Sequence, residues 1–236
     1  MKNYNKVARV YPTILALIIP SLMWGYYLTT IANEYLQIFE NDIFHKIMTF
    51  FVGLGLVTAL QYALSTFVSI VAKIVFERIY WGKDNIEMPS NTLLLLSDPR
   101  LSEFKKMQIR KRISIVCKIN MPDDRISKEN RICVLTQLND VMSYLRNGTR
   151  DSVVVFDKLC HYGFVRNFMG GLIIGVILVL ALLGINIFYP FVSINYFIIS
   201  LAILIAPIFF SRKMMMYTGV VYSKALFDAF LSKKTD

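Results

Sequence analysis

The stretch IMTFFVGLGLVTALQYALSTFVSIVA, residues 47–72, decides how this chain is read. Its 26 residues carry no charge, and a helix needs roughly 20 predominantly apolar residues to cross a bilayer. The segment is therefore long enough to span. Within it Thr58, Gln61, Ser65 and Ser69 recur at steps of three or four residues and lead to Lys73. On a helix that spacing stacks them along one face. A polar line in a spanning helix turns away from lipid, toward another helix or water, so it marks either a pore wall or a packing seam. Gln61 bears most on the choice, because a side-chain amide near mid-bilayer is costly without partners. A ring of Gln in a symmetric oligomer, or water, supplies them. The plainer alternative is helix packing within one subunit, with the hydroxyls bonded to i−4 carbonyls.

The rest of the chain has the same character. Of 236 residues 56% are hydrophobic, and the mean hydropathy is +0.51. That composition fits an integral membrane protein rather than a soluble domain. Two further charge-free stretches are 10–33 and 167–211. The second has 45 residues, enough for two spans, and its centre holds Asn186, Pro190 and Asn195, which suit a tight turn outside the hydrocarbon. The expected fold class is a mainly α membrane protein with four transmembrane helices and a small, mostly helical cytoplasmic domain between helices 2 and 3. Residues 1–80 form a hairpin with spans at about 10–31 and 47–72, the latter extendable to 80. Residues 81–166 form the domain, 167–211 a second hairpin with spans at about 168–188 and 192–210, and 212–236 an amphipathic cytoplasmic tail. A cleaved signal peptide competes for the first span, given Lys2, Lys6 and Arg9. The apolar run exceeds an h-region of roughly 7–15 residues and no small-x-small site follows, so an anchor is expected.

The Lys/Arg bias orients the spans. The N-terminal tail is basic, whereas the loop 32–46 has Glu34, Glu40 and Asp42 against Lys46 alone. Residues 73–166 hold 17 Lys/Arg, and the tail adds Arg212, Lys213, Lys224, Lys233 and Lys234. Four spans put every basic-rich segment on one side. Both termini are then cytoplasmic, in an inner (plasma) membrane. Trp24, Tyr26 and Tyr27 fall near the outer boundary, and Tyr80 and Trp81 near the inner one. Cys117, Cys133 and Cys160 are dispersed, odd in number and without CxxC spacing, which reads as reduced core thiols.

In the middle segment Asp98-Pro99 reads as a helix start, with the helix running to about Val116. Ile113, Ile115, Cys117 and Ile119 also alternate with Ser114, Val116, Lys118 and Asn120, a strand-like rival. Pro122-Asp123-Asp124 is a turn. Ser127 precedes a helix with Ile132, Leu135, Leu138, Val141 and Leu145 on one face, stopped at Gly148. Leu93–Leu96 and Val153–Phe156 read as strands or buried turns. In the tail, Leu226, Phe227, Phe230 and Leu231 beside Lys224 and Asp228 suit packing under the membrane or against another subunit.

Lys105, Lys106, Arg110, Lys111, Arg112 and Lys118 crowd 14 residues near Glu103 alone. Such density attracts phosphate, whether of anionic lipid or of a nucleotide or oligonucleotide signal, or it is simply a solvated surface. The six do not share one helical face, and no aromatic interleaving supports base readout. Lys73 and Glu77, where the second span ends, and Arg166 and Asn167, where the third begins, are candidate gating or interface residues. Gly171 and Gly175 form a small-xxx-small pair suited to close helix approach. No Walker A, HExxH, GxSxG or GxGxxG motif occurs. His161 adjoins Cys160 and so does not face it as a base would. Neither enzymatic activity, a metal site nor a cofactor is expected.

Two stretches carry a resemblance. Pro89-Ser90-Asn91-Thr92-Leu93-Leu94, followed by Ser97-Asp98 and Leu101-Ser102, is one. Tyr162-Gly163-Phe164-Val165-Arg166-Asn167, with its glycines, is the other. Over about the middle third of the chain they resemble small membrane effectors of bacterial antiphage systems, and the segment plan is similar to the Hailong membrane effector and to the Kiwa membrane component. The Hailong likeness implies an oligomeric channel gated by a nucleic-acid-like product of a partner nucleotidyltransferase. No ligand residue is carried over. The expected function is a homo-oligomeric ion channel or membrane-perturbing effector gated by its cytoplasmic domain. The alternative is a non-conducting sensor or scaffold that recruits a cytoplasmic partner.

Overall fold

The computed structural model describes residues 4–35, 63–120, 123–190 and 192–233. The described residues are mostly helical, with no strand among them. A π-helical turn, Lys6–Val10, leads into α1, Tyr11–Tyr35. Helix α2 covers 63–72 and continues through a second π-helical turn, Lys73–Glu77, into α3, Arg78–Trp81. Then come α4, Pro89–Thr92; α5, Glu103–Cys117; α6, Lys128–Gly148; α7, Val153–Phe188; α8, Ile194–Phe209; and α9, Ser211–Ser232. The chain divides into two compact units, Met1–Lys73 with Phe164–Ser211, and Ile74–Gly163 with Arg212–Asp236.

Among the described residues two helical segments are long and apolar enough to cross a membrane: Lys6–Leu28, with mean hydropathy 1.5, and Val153–Phe188, with 2.8. Ile194–Phe209 and Ser211–Ser232 pass the same test only when taken together, as a third. With 16 residues, α8 alone extends about 24 Å, short of the roughly 30 Å hydrocarbon core. By the same rule the 36 residues of α7 extend about 54 Å. Helix α7 is therefore longer than the hydrocarbon core is thick, and its first turns hold Asp157, Lys158 and His161. Most of the expected span 47–72 lies outside the described residues.

In the first unit, α1 exposes Tyr11, Leu15, Ile18, Leu22 and Tyr26 and buries Pro12, Thr13, Ala16, Leu17 and Pro20. The exposed stripe is as apolar as the buried one. In water such a continuous apolar face is unfavourable, while against lipid tails it is matched. Helix α8 repeats the arrangement, burying Phe197, Ser200 and Leu204 and exposing Tyr196, Ile199 and Ile203. The turn after α7 is clipped by Asn186. Its amide donates to the Val192 carbonyl at 2.9 Å, and its oxygen accepts from the Val192 amide at 3.0 Å.

In the second unit the turns and caps differ from the sequence expectation in instructive ways. Asp98 does not cap α5. It binds Arg100, and Ser102 caps the helix by accepting from the Lys105 amide. Helix α5 runs through the alternating stretch to Cys117 and ends where Lys118 takes a left-handed conformation, so the strand rival fails. Leu93–Leu95 are buried in turns and Leu96 is half-buried, and Val153–Phe156 is the first turn of α7. Ser127 caps α6 as expected, accepting from Asn130 at 3.0 Å. Its core face holds Leu135, Leu138, Val141 and Leu145, but Ile132 is exposed. The tail packs as α9 within this unit, burying Met215, Tyr222, Leu226, Phe227 and Phe230. Only Cys160 is buried. Cys133 is exposed, because it lies on the outer side of α6.

Candidate functional site

Helix α7 supplies the side chains that organise both units, and each unit is built around it differently.

In the first unit the working residues are small. A Cβ on Gly170 would lie 2.6 Å from the Ala72 Cβ and 3.0 Å from the Val68 carbonyl. One on Gly171 would lie 2.6 Å from the Ala16 Cβ. Three helices thus meet at backbone distance, which only glycine and alanine permit. Gly175 continues the seam against Ala16 and Pro20. Leu17, Val68 and Ile174 fill the space beside it, with Leu64, Val71 and Leu178 around them. Asn167, fully buried, caps the end of the seam by donating from Nδ2 to the Ala8 carbonyl. That carbonyl lies in the π-helical turn, where the Tyr11 amide reaches back five residues to Lys6. Irregular ladders of this kind redirect carbonyls to outside donors. The neighbouring Arg9 carbonyl accepts from Thr13 Oγ1 at 2.8 Å, and Arg166, also buried, donates from Nε to Asn167 Oδ1 at 3.4 Å.

The polar line of the second span is placed in part. Thr58 and Gln61 lie outside the described residues. Ser65 and Ser69 are on α2 and only 3% and 5% exposed, inside the chain's own helix packing. Lys73 is exposed at the start of the π-helical turn.

In the second unit Glu77 is buried at the end of that turn. The Tyr162 hydroxyl donates to Glu77 Oε1 at 3.2 Å and accepts from Trp81 Nε1 at 3.3 Å. The Tyr162 ring stacks on Tyr222 of α9 with centroids 6.4 Å apart. Trp81 is 1% exposed, and Tyr162 satisfies its indole N–H. The fully buried Asn91 donates to the Ile86 carbonyl at 3.0 Å and to Asn139 Oδ1 at 3.2 Å, tying the loop before α4 to α6.

The basic cluster is largely consumed by this unit. Lys106 is buried and donates to the Leu96 and Asp98 carbonyls. Arg110 is buried and meets Asp124 at 2.7 Å. Arg112 donates to the Leu231 carbonyl at 2.7 Å and lies 5.1 Å from the Phe230 ring centre. Lys105 pairs with Asp228. Lys111 and Lys118 remain at the surface. Burial pushes the Asp124 carboxyl up, but bonds from the Leu96 amide, Arg110 and the Ser97 amide, with the Arg110 charge, outweigh it and hold the group below the ordinary carboxylate value. Asp98 is held low in the same way, burial being outweighed by the bonds and charge of Arg100 and the charge of Lys106. Among the described residues no group of three His, Cys, Asp or Glu is placed to hold a metal ion.

Tyr162, Trp81 and Tyr222 escaped sequence reasoning because aromatic residues near a span end look interfacial. The one signal available was Glu77, an acid beside an apolar segment and so in need of a donor. Compared with protein-family models, curated proteins and solved structures, the chain matches none.

Proposed function

We propose that this protein is a homo-oligomeric, four-span inner-membrane effector, an ion channel or membrane-perturbing protein, with both termini cytoplasmic, controlled by its second unit through α7. The observation that carries this reading is the continuity of α7. One unbroken helix places Tyr162 in the buried network with Glu77 and Trp81, and Asn167, Gly170 and Gly171 in the glycine seam. A helix shared by two packed cores is suited to carry a two-state change from one to the other. The defence role and a nucleotide-like signal rest on the resemblance of Pro89–Leu94 and Tyr162–Asn167 to antiphage effectors. Induction in bacteria carrying a potential-sensitive dye tests the reading. Depolarisation is expected, with Gln61→Leu changing its extent if Gln61 lines the pathway.

A second reading, a non-conducting sensor or scaffold, is favoured by the burial of Ser65 and Ser69 within one chain. In this reading that half of the polar line serves as a packing seam. This reading predicts a normal potential on induction and a stable complex with a cytoplasmic partner.

A further inference from the structure

Helix α5 carries charged and apolar residues on both its buried and its outward side. Its buried side holds Lys106 and Arg110 with Ile109 and Ile113. Its outward side, opposite on the helical wheel, presents Phe104, Met107 and Ile115 at 73%, 53% and 65% exposure, with Gln108 and Lys111 between them. Lys118, exposed at the helix end, follows. No carboxylate lies on that arc. Glu103 is at its edge and pairs with Arg125 at 3.2 Å, and Ile126, beside Arg125, is exposed too. An unpartnered Phe, Met and Ile interleaved with lysine is unfavourable in water, and its chemistry is that of helices that lie in a lipid headgroup layer: shallow apolar insertion with cations at the phosphates.

We infer that the outward face of α5 docks on an anionic membrane surface, with Phe104, Met107 and Ile115 entering the headgroup layer and Lys111 and Lys118 pairing with lipid phosphates. The occupant follows from charge complementarity and reach. The only side-chain charges on the face are positive, the chain carries a net charge of +10, and its own spanning helices keep a bilayer within tether distance. This goes beyond the channel and scaffold readings and holds under either.

Methionine footprinting tests it on the full chain. The protein is placed in small nanodiscs of phosphatidylcholine alone or with a third phosphatidylglycerol, treated with dilute peroxide, and Met107 oxidation is followed by mass spectrometry. On the order of tenfold slower oxidation is expected with the anionic lipid, as two lysines near such a surface bias docking strongly. Lys111→Glu with Lys118→Glu should restore the fast rate, and both positions are exposed, so folding is unaffected. Equal rates in the two lipids, or protection that survives the double substitution, overturns the inference. Protection in lipid-free detergent that rises with protein concentration indicates a second copy on this face and overturns it as well.

Discussion

The Tyr162 hydroxyl sits between Glu77 and Trp81, donating to the carboxylate at 3.2 Å and accepting from the indole at 3.3 Å. Glu77 closes a π-helical turn that follows α2, and Tyr162 lies on α7. Tyr162→Phe keeps the ring on Tyr222 and removes both hydrogen bonds. It is expected to destabilise the second unit by about 2 kcal/mol, since buried polar groups lose a partner. The check is amide hydrogen exchange of α6 and α9, which should quicken while α8 is unchanged.

Asp124 gathers the Leu96 and Ser97 amides and the buried Arg110 guanidinium. Asp124→Ala is expected to cost about 3 kcal/mol or more, because removing one partner of a buried ion pair leaves the other charge without its counterpart. Thermal unfolding of the detergent-solubilised protein reads this as a lowered transition.

The acid response follows from the same group and from Asp98. Both carboxyls titrate below their ordinary value in the folded state. Their stabilisation is therefore complete above the unfolded pKa of about 3.9 and is lost as pH falls through the lower folded value. The second unit should resist acid down to about pH 4 and open below it, measured by circular dichroism against pH. Asp124→Asn should already be destabilised at neutral pH and show a smaller loss on acidification.

The glycines of α7 divide by what surrounds them. Gly170→Val or Gly171→Val meets Ala72 or Ala16 at once and should separate the helices of the first unit. Gly184 has nothing within 4 Å of an added Cβ, so Gly184→Ala should be neutral or stabilise slightly, by up to about 1 kcal/mol. Cysteine cross-linking between α1 and α7 checks this: the valine variants lose the cross-link and Gly184→Ala keeps it.

How much of this was legible in advance depends on the kind of signal. The helices at Lys6–Leu28 and in α7 that are long and apolar enough to cross a membrane, the Ser127 cap, the Asn186–Pro190 turn and the Gly171/Gly175 seam all follow from local rules of apolar length, capping, turn residues and side-chain size. The fates of Lys106, Arg110 and Trp81 do not. Lys106 and Arg110 are residue types that local rules place outside, Trp81 lies near a span end, and each is buried against a partner outside its own helix: the Asp98 carbonyl, Asp124 and Tyr162. Pairing of that kind is a property of the packed unit and leaves no periodicity to read. The end of α5 was ambiguous for another reason. Apolar residues at 113, 115 and 117 satisfy a strand period, and the helix runs through them by exposing Ile115 instead of burying it.

The central claim, that the second unit governs the membrane helices through α7, is tested most directly by ion flux from liposomes containing the purified full chain, wild type beside Tyr162→Phe. The account predicts flux that differs between the two proteins at equal incorporation, since the substitution releases α7 from Glu77 and Trp81 without touching the glycine seam. Liposomes that stay ion-tight with both proteins, or that leak identically with both, would contradict it.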